Sequence, residues 1–397
     1  MRLEKCFIPY GAYWSSPFCR WQGSFSQVNS IELAAGAARK FLAAREIPPG
    51  SFDGLVLGFT VNQKASFYGA PWLAAMIGAG GITGPNVSQA CATSARSLAT
   101  AALEVEAGMK CCVLTVNTDR CSNGPHVYYP NPSGPGGMGE PESPVWDNFN
   151  RDPNTGFAML QTAENVAKKG GITKEEQDEV TLLRNRQYQD ALASDRAFQR
   201  TWMLPVDVPK GRKKFETVEA DEGVFPTTAD GLAKLRPVME GGTVTFGCQT
   251  FPADGNAGIV VCDEGKAKAM SRRPDMPIRI LSFGEARVEK AHMPMAVAPA
   301  AKQALQRAGV GIADCRAVKT HNPFAVNDIW FAREMGIALD RMNNFGSPLV
   351  YGHPQGPTGA RVVVELIEEI ARAGGGYGLF SGCAAGDTAM AMVIRVG

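Results

Sequence analysis

Apolar positions recur along this chain with two alternating periods. Residues 28–45, VNSIELAAGAARKFLAAR, place them three to four apart, as on one face of a helix. Residues 53–60, DGLVLGFT, form a short continuous apolar run and predict a strand. Residues 88–105, SQACATSARSLATAALEV, are rich in Ala and apolar nearly all round, which predicts a helix buried between layers. CCVLTVNT at 111–118 reads as a fully buried strand. This β-α-β rhythm predicts a mostly parallel sheet.

The rhythm breaks over residues 119–156, where GPHVYYPNPSGPGGMGEPESP is dense in Gly and Pro and predicts a long excursion. Helices are expected at about 158–170 and 173–194. A basic run, KGRKK, follows at 210–214. Strand patterns resume at GTVTFG (242–247) and AGIVVCD (257–263), and a second βα series starts near Ile278. The expected organisation is two α/β halves, residues 1–120 plus 246–271 and residues 272–397, with a loop-rich insertion over 121–245.

Composition narrows the function. A chain of 397 residues, 45% hydrophobic, has material for a large core and fits two domains or a duplicated pair. A net charge of +1 argues against a broad nucleic-acid or anionic-membrane surface. No apolar run approaches the roughly 20 residues of a membrane span. The first residues, MRLEKCFIPYGAYW, lack the apolar core of a signal peptide. The chain has 10 cysteines, with no CxxC array and no zinc-ligand spacing, which fits a reduced, cytoplasmic location. With 4 histidines and no Cys/His cluster, no metal site is expected.

Reactive residues stand at predicted strand ends and loops, where α/β proteins place their ligand sites. Cys91 precedes the Ala-rich helix. From that stretch alone it is either an inert buried thiol or a nucleophile aimed from a helix start. KTHNPFAVND places His321 and Asn322 just after an apolar segment. YGHPQGPTGAR places His353 in a Gly/Pro loop before an amphipathic helix, and GLFSGCAAGDTAMAMVIRV places Cys383 in a turn between two apolar strands.

QTAENVAKKGGITKEEQDEV (161–180), DGLAKLRPV (230–238), GTVT, GHPQGPTGAR and the near-terminal Cys turn occur in the order found in thiolases, and SSPFCRWQGS resembles the opening segment of that family. The resemblance spans almost the whole chain. It implies a five-layered αβαβα fold of two similar halves with an inserted loop domain. It implies a homodimer or tetramer and Claisen chemistry on coenzyme A thioesters, with coenzyme A as a substrate.

The resemblance also assigns roles. Cys91 matches the nucleophile that takes up the acyl group, and His353 the histidine that activates it. Cys383 matches the second cysteine, a general acid/base. His321 falls where many thiolases carry an Asn that holds a water for the thioester oxyanion, which implies an imidazole near the oxyanion hole. Asn322 replaces an acidic residue, which bears on the orientation of the site. The backbone N–H groups of Cys91 and Ala385 match a second oxyanion hole. Thr250 replaces a serine that lies along the pantetheine arm of coenzyme A.

Several positions depart from the family pattern. CAAGDT replaces Cys-x-Gly-Gly-Gly, so a methyl at Ala385 and the side chain of Asp387 alter the turn. Phe225 stands where many relatives have a basic residue near the CoA phosphates. KGRKK reads as a solvated charged loop, with phosphate contact as the alternative. His126 and His292 have no motif around them. Two other functions share parts of this pattern: a ketoacyl-synthase-like condensing enzyme, which lacks Cys383 and the TAENVA insertion, and a non-catalytic acyl-CoA or lipid-binding thiolase relative. Aromatic segments such as SPFCRWQG, NQKASFYGAPW and PHVYYP, with the general look of the N-terminal third, imply a bulky, branched or aromatic acyl-CoA such as benzoylsuccinyl-CoA. Branches with His at position 321 imply a small zinc-binding OB-type partner subunit.

Overall fold

The computed structural model of the chain describes residues 2–397 except 135, 138, 212 and 213. Its strands in chain order are β1 (Phe7–Ile8), β2 (Tyr13–Ser15), β3 (Cys19–Arg20), β4 (Gly54–Gly58), β5 (Asn86–Val87), β6 (Cys112–Arg120), β7 (Val127–Tyr129), β8 (Glu140–Glu142), β9 (Val206–Pro209), β10 (Phe215–Val218), β11 (Ala253–Cys262), β12 (Ile278–Arg287), β13 (Cys315–His321), β14 (Gly376–Ala384) and β15 (Thr388–Val396). One 11-stranded sheet runs β13-β14-β15-β12-β1-β11-β6-β4-β5, with β2 and β3 paired to β11. β1 pairs with both β11 and β12 and joins the two halves.

The sheet is mixed, not mostly parallel. Among the described strands, parallel ladders join β4 to β5 and β6, and β13 to β14. The β6/β11, β12/β15 and β14/β15 ladders are antiparallel. The turn 385–387 explains one of these, because it is too short for the crossover that parallel neighbours need.

The layers follow from which faces are apolar. Helices Thr93–Glu106 and Thr358–Arg372 lie between the two halves. Leu98, Ala101 and Val105 of one, and Val363, Leu366 and Ile370 of the other, share a core with Val113 and Ile259 of the first half and Phe380 and Met392 of the second. Helices Ser30–Ala44 and Gly69–Met76 cover the outer face of the first half, against Leu55, Leu57 and Leu114. Helices Val297–Ala308 and Ala325–Met335 cover that of the second. The order is helix, sheet, helix, sheet, helix. Full burial of one Leu or Ile side chain contributes roughly 1.5–3 kcal/mol, so the shared central layer binds the halves firmly.

Between the neighbouring strands β6 and β11 the chain makes its long excursion. It holds the β7/β8 and β9/β10 hairpins and helices Pro144–Asn150, Met159–Gly170 and Lys174–Arg196. Thr173 and Glu176 form a capping box at the start of the last helix, and Ala193–Asp195 leave helical conformation near its end. GTVTFG is not a strand. Thr243 and Val244 donate their N–H groups to the Glu164 carboxylate at 2.9 and 2.8 Å, and Thr245 caps a short turn over Phe246–Cys248. A carboxylate on a helix has taken the donors that strand pairing needs. Among the described residues, no helix is long and apolar enough to cross a membrane.

Candidate active site

Cys91 sits on a tight turn between β5 and helix Thr93–Glu106. The preceding Ala90 has φ +45°, a left-handed conformation that costs a non-glycine residue roughly 1–2 kcal/mol. Thr93 holds the turn: its Oγ1 accepts from Gln89 N–H at 2.9 Å and donates to the Ala90 carbonyl at 2.7 Å. The sulfur is thus presented just ahead of the helix, half-buried. Desolvation pushes the Cys91 thiol up to about 12, against the N–H groups of Ala385 and of Cys91 itself, which favour the thiolate. Both amides thus lie close to the Cys91 sulfur, and the methyl of Ala385 leaves its N–H free to face it.

His353 meets this sulfur from the second half. Its Nε2 lies 3.1 Å from Cys91 Sγ and its Nδ1 lies 2.7 Å from Thr358 Oγ1. For Nε2 to accept the thiol proton, Nδ1 must carry the hydrogen and Thr358 must accept it. Burial, then the neighbouring His321, hold His353 well below the usual histidine range. The resting pair is therefore a thiol and a neutral imidazole.

β13 and β14 are parallel neighbours, with His321 opposite Gly382, so their ends bring His321 and Cys383 together. The His321 and His353 rings lie 4.1 Å apart between centroids, tilted by 38°. His321 Nδ1 is 3.2 Å from the Cys383 carbonyl and 3.8 Å from Cys383 Sγ. A carbonyl only accepts, so Nδ1 carries the hydrogen and Nε2 a lone pair. That Nε2 is buried without a hydrogen-bond partner among the described residues. Burial lowers the His321 pKa to about 4. Cys383 lies within β14, just before the turn and not in it, and burial raises its thiol far above the ordinary value.

Asn322 is engaged elsewhere. It donates to Asp328 Oδ2 at 2.7 Å and to Ser347 Oγ at 3.1 Å, and accepts from Leu349 N–H at 3.2 Å. Asp328 is itself paired with Arg184 at 2.7 Å, both side chains fully buried. Asn322 therefore orients the segment that leads to His353. Thr250, half-buried, donates its N–H to the Pro323 carbonyl at 2.7 Å and its hydroxyl to the Pro348 carbonyl at 2.6 Å. It links the same two segments, and only its oxygen lone pairs and methyl remain for a ligand.

Asp387, at φ +61°, accepts from the N–H groups of Ala291 and His292 at 2.9 and 3.0 Å, and so braces the turn after Cys383. Phe225 is exposed. Within KGRKK, Arg212 and Lys213 lie outside the described residues. Among the described residues, no group of three or more His, Cys, Asp or Glu is placed to hold a metal ion.

Sequence reasoning missed three residues. Asp119, at the end of β6, accepts from Thr60 N–H, Val61 N–H and Thr60 Oγ1 at 2.8 Å and from Gly356 N–H at 2.7 Å. Burial raises its pKa from 3.8 to about 7. An acid inside an apolar strand was the available signal. Thr358 and Asn327, whose Nδ2 lies 3.3 Å from Cys383 Sγ, gave none.

Comparison with known proteins extends over the same ground. The thiolase N-terminal domain matches residues 13–265 and the thiolase C-terminal domain residues 275–396. Acetyl-CoA acetyltransferase of Escherichia coli (strain K12) is 30% identical over 383 residues, covering 94% of this chain and 95% of that protein. The mitochondrial 3-ketoacyl-CoA thiolase of Homo sapiens is 26% identical over 386 residues, 96% of each. The crystal structure of Bacillus anthracis acetyl-CoA acetyltransferase superposes with a TM-score of 0.90 at 26% identity over 100% of both chains. That of human mitochondrial 3-ketoacyl-CoA thiolase in complex with CoA gives 0.91 at 25% identity over 100% of this chain and 99% of the other. With both halves matched and the fold shared from end to end, the chain belongs to the thiolase family of acyltransferases.

Proposed function

We propose that the chain catalyses CoA-dependent thiolytic cleavage of a 3-oxoacyl-CoA, or the reverse Claisen condensation, through an acyl-enzyme on Cys91. The observation that carries this reading is the 3.1 Å approach of His353 Nε2 to Cys91 Sγ, with Cys383 two residues before Ala385, whose N–H also favours that thiolate.

In the thiolytic direction, His353 takes the Cys91 proton as the sulfur attacks the 3-oxo carbonyl. The Cα–Cβ bond breaks, and the departing carbanion takes the proton of Cys383. Cys383 is then a thiolate. It removes the proton of the incoming CoA thiol, whose sulfur displaces Cys91 from the acyl group, and Cys91 recovers its proton from His353. The N–H groups of Cys91 and Ala385 stabilise oxyanions at the acyl carbon. His321 serves the other oxyanion. Since its Nε2 carries a lone pair at rest, it acts after taking up a proton, or through a water O–H that it accepts.

The substrate is a bulky, branched or aromatic acyl-CoA such as benzoylsuccinyl-CoA. Support comes from an aromatic cluster beside the site. Trp21 packs on Trp146, and Trp146 on Phe149, around the core of Val61, Cys121 and Val145, and Cys121 Sγ accepts from Gln355 in the His353 loop. The assembly is a cytoplasmic homodimer or tetramer, with a small OB-type partner subunit as a further component. A thiolysis screen with CoA over short, long, branched and aromatic 3-oxoacyl-CoA esters tests the reading. Turnover restricted to straight short chains overturns the substrate class, and no turnover with any ester overturns the reaction.

A further inference from the structure

The mechanism above asks Cys383 to exist as a thiolate between the two half-reactions. Its surroundings oppose this. The side chain is fully buried, and the Cys91 sulfur and the Asp328 carboxylate also disfavour a second negative charge. The other titratable groups facing it are His321 and, behind that ring, His353. Both are neutral at rest, and Asp328 is balanced by Arg184.

Two donors work the other way. Asn327 lies in the first turn of helix Ala325–Met335, fully buried. Its Oδ1 accepts from the Phe324 N–H at 3.3 Å. A backbone N–H can only donate, so the carbonyl end of the amide is fixed on the backbone and the NH2 end must face the other way. That end lies 3.3 Å from Cys383 Sγ. On another side the His321 Nδ1–H, already donated to the Cys383 carbonyl at 3.2 Å, passes 3.8 Å from the sulfur and is at most shared with it, which leaves Asn327 as the main side-chain donor. A sulfur set between oriented N–H donors is favoured as the thiolate.

We infer that Asn327 is a positioning residue whose amide N–H stabilises the Cys383 thiolate and so sets the pH at which that sulfur moves protons. The inference rests on the reading of Cys383 as the proton carrier. No co-reactant is needed. The S–H bond of Cys383 breaks when the carbanion is protonated and re-forms when the CoA thiol gives up its proton, and Asn327 keeps its own hydrogens throughout.

The test is exchange of the α-protons of acetyl-CoA and of succinyl-CoA, using whichever the wild-type chain exchanges, with solvent deuterium, followed by mass spectrometry across a pH series on the intact chain. Asn327→Leu removes the donor. Asn327→Asp keeps an oxygen for Phe324 N–H while removing the donor toward sulfur. Both are expected to move the exchange profile to higher pH and to lower the rate at fixed pH by about tenfold or more, the scale of a hydrogen bond to a charged group. The shift is expected to be larger for Asp. A profile unmoved in either folded variant overturns the inference. Cys383→Ser separates the two claims. If it abolishes exchange while Asn327→Leu leaves the profile in place, only the role of Asn327 fails. If Cys383→Ser exchanges normally, the role of Cys383 itself fails.

Discussion

The carboxylate of Asp119 accepts the N–H of Gly356 at 2.7 Å, tying the end of β6 in the first half to the loop that carries His353 in the second. The same carboxylate holds Thr60 and Val61. Asp119→Ala leaves these buried donors unpaired, at about 1–3 kcal/mol each. A marked loss of stability in denaturant unfolding is expected, together with slower alkylation of Cys91 as His353 loses its place. Wild-type values of both would show that the tie is idle.

Asp119 also sets a pH dependence. Its folded pKa, about 7, stands above the ordinary 3.8. The folded chain keeps this proton over a range where the unfolded chain has lost it. Its contribution to stability is full below about 3.8 and falls as pH rises toward 7. Asp119→Asn should flatten that slope in unfolding curves measured across the window. An unchanged slope would assign it to another group.

Cys91 should carry the acyl group. Mass spectrometry after mixing with an acyl-CoA is expected to find the adduct on the peptide containing Cys91, and Cys91→Ala is expected to lose both adduct and turnover. Full activity in that variant would sink the covalent mechanism.

His321→Ala should slow turnover by about a hundredfold or more, the usual loss for an oxyanion partner, with little change in melting temperature. His321→Asn should recover part of the rate by holding a water through its amide. Loss of stability with normal turnover would make His321 a packing residue.

The wild-type acid limb offers a separate check on His321. Its pKa is lowered from 6.5 to about 4, so its contribution to stability is present above 6.5 and lost as pH falls toward 4. His321→Asn should remove that part of the acid limb. A limb unaltered by the substitution would refute a neutral, buried His321.

Much of the site was legible because its reactive residues stand in compact motifs: GHP for His353, HNPF for His321, GCAAGD for Cys383. What supports them was not. Asp119 and Gly356 are far apart in sequence, and only the docking of the halves makes them neighbours. Asn327 looks like any polar residue early in a helix until Phe324 N–H fixes which end of its amide faces the sulfur. Periodicity located β6, β11 and the central helix to within a few residues, but it reports which residues are buried and not which strand lies alongside. Hence the rhythm predicts a mostly parallel sheet where the ladders are mixed. GTVTFG misled for a related reason: its alternation is real, but Glu164 holds its amides.

The two-residue strand β1 joins the sheet halves, and neither half contains a complete reaction centre. Cys91 and Asp119 belong to one, and His321, His353 and Cys383 to the other. A chain caught with a single half folded therefore holds a cysteine without its base. On the proposed mechanism, Cys91 is acylated only when both halves are folded and docked, so recovery of turnover on refolding should follow the closing of the Cys91–His353 contact.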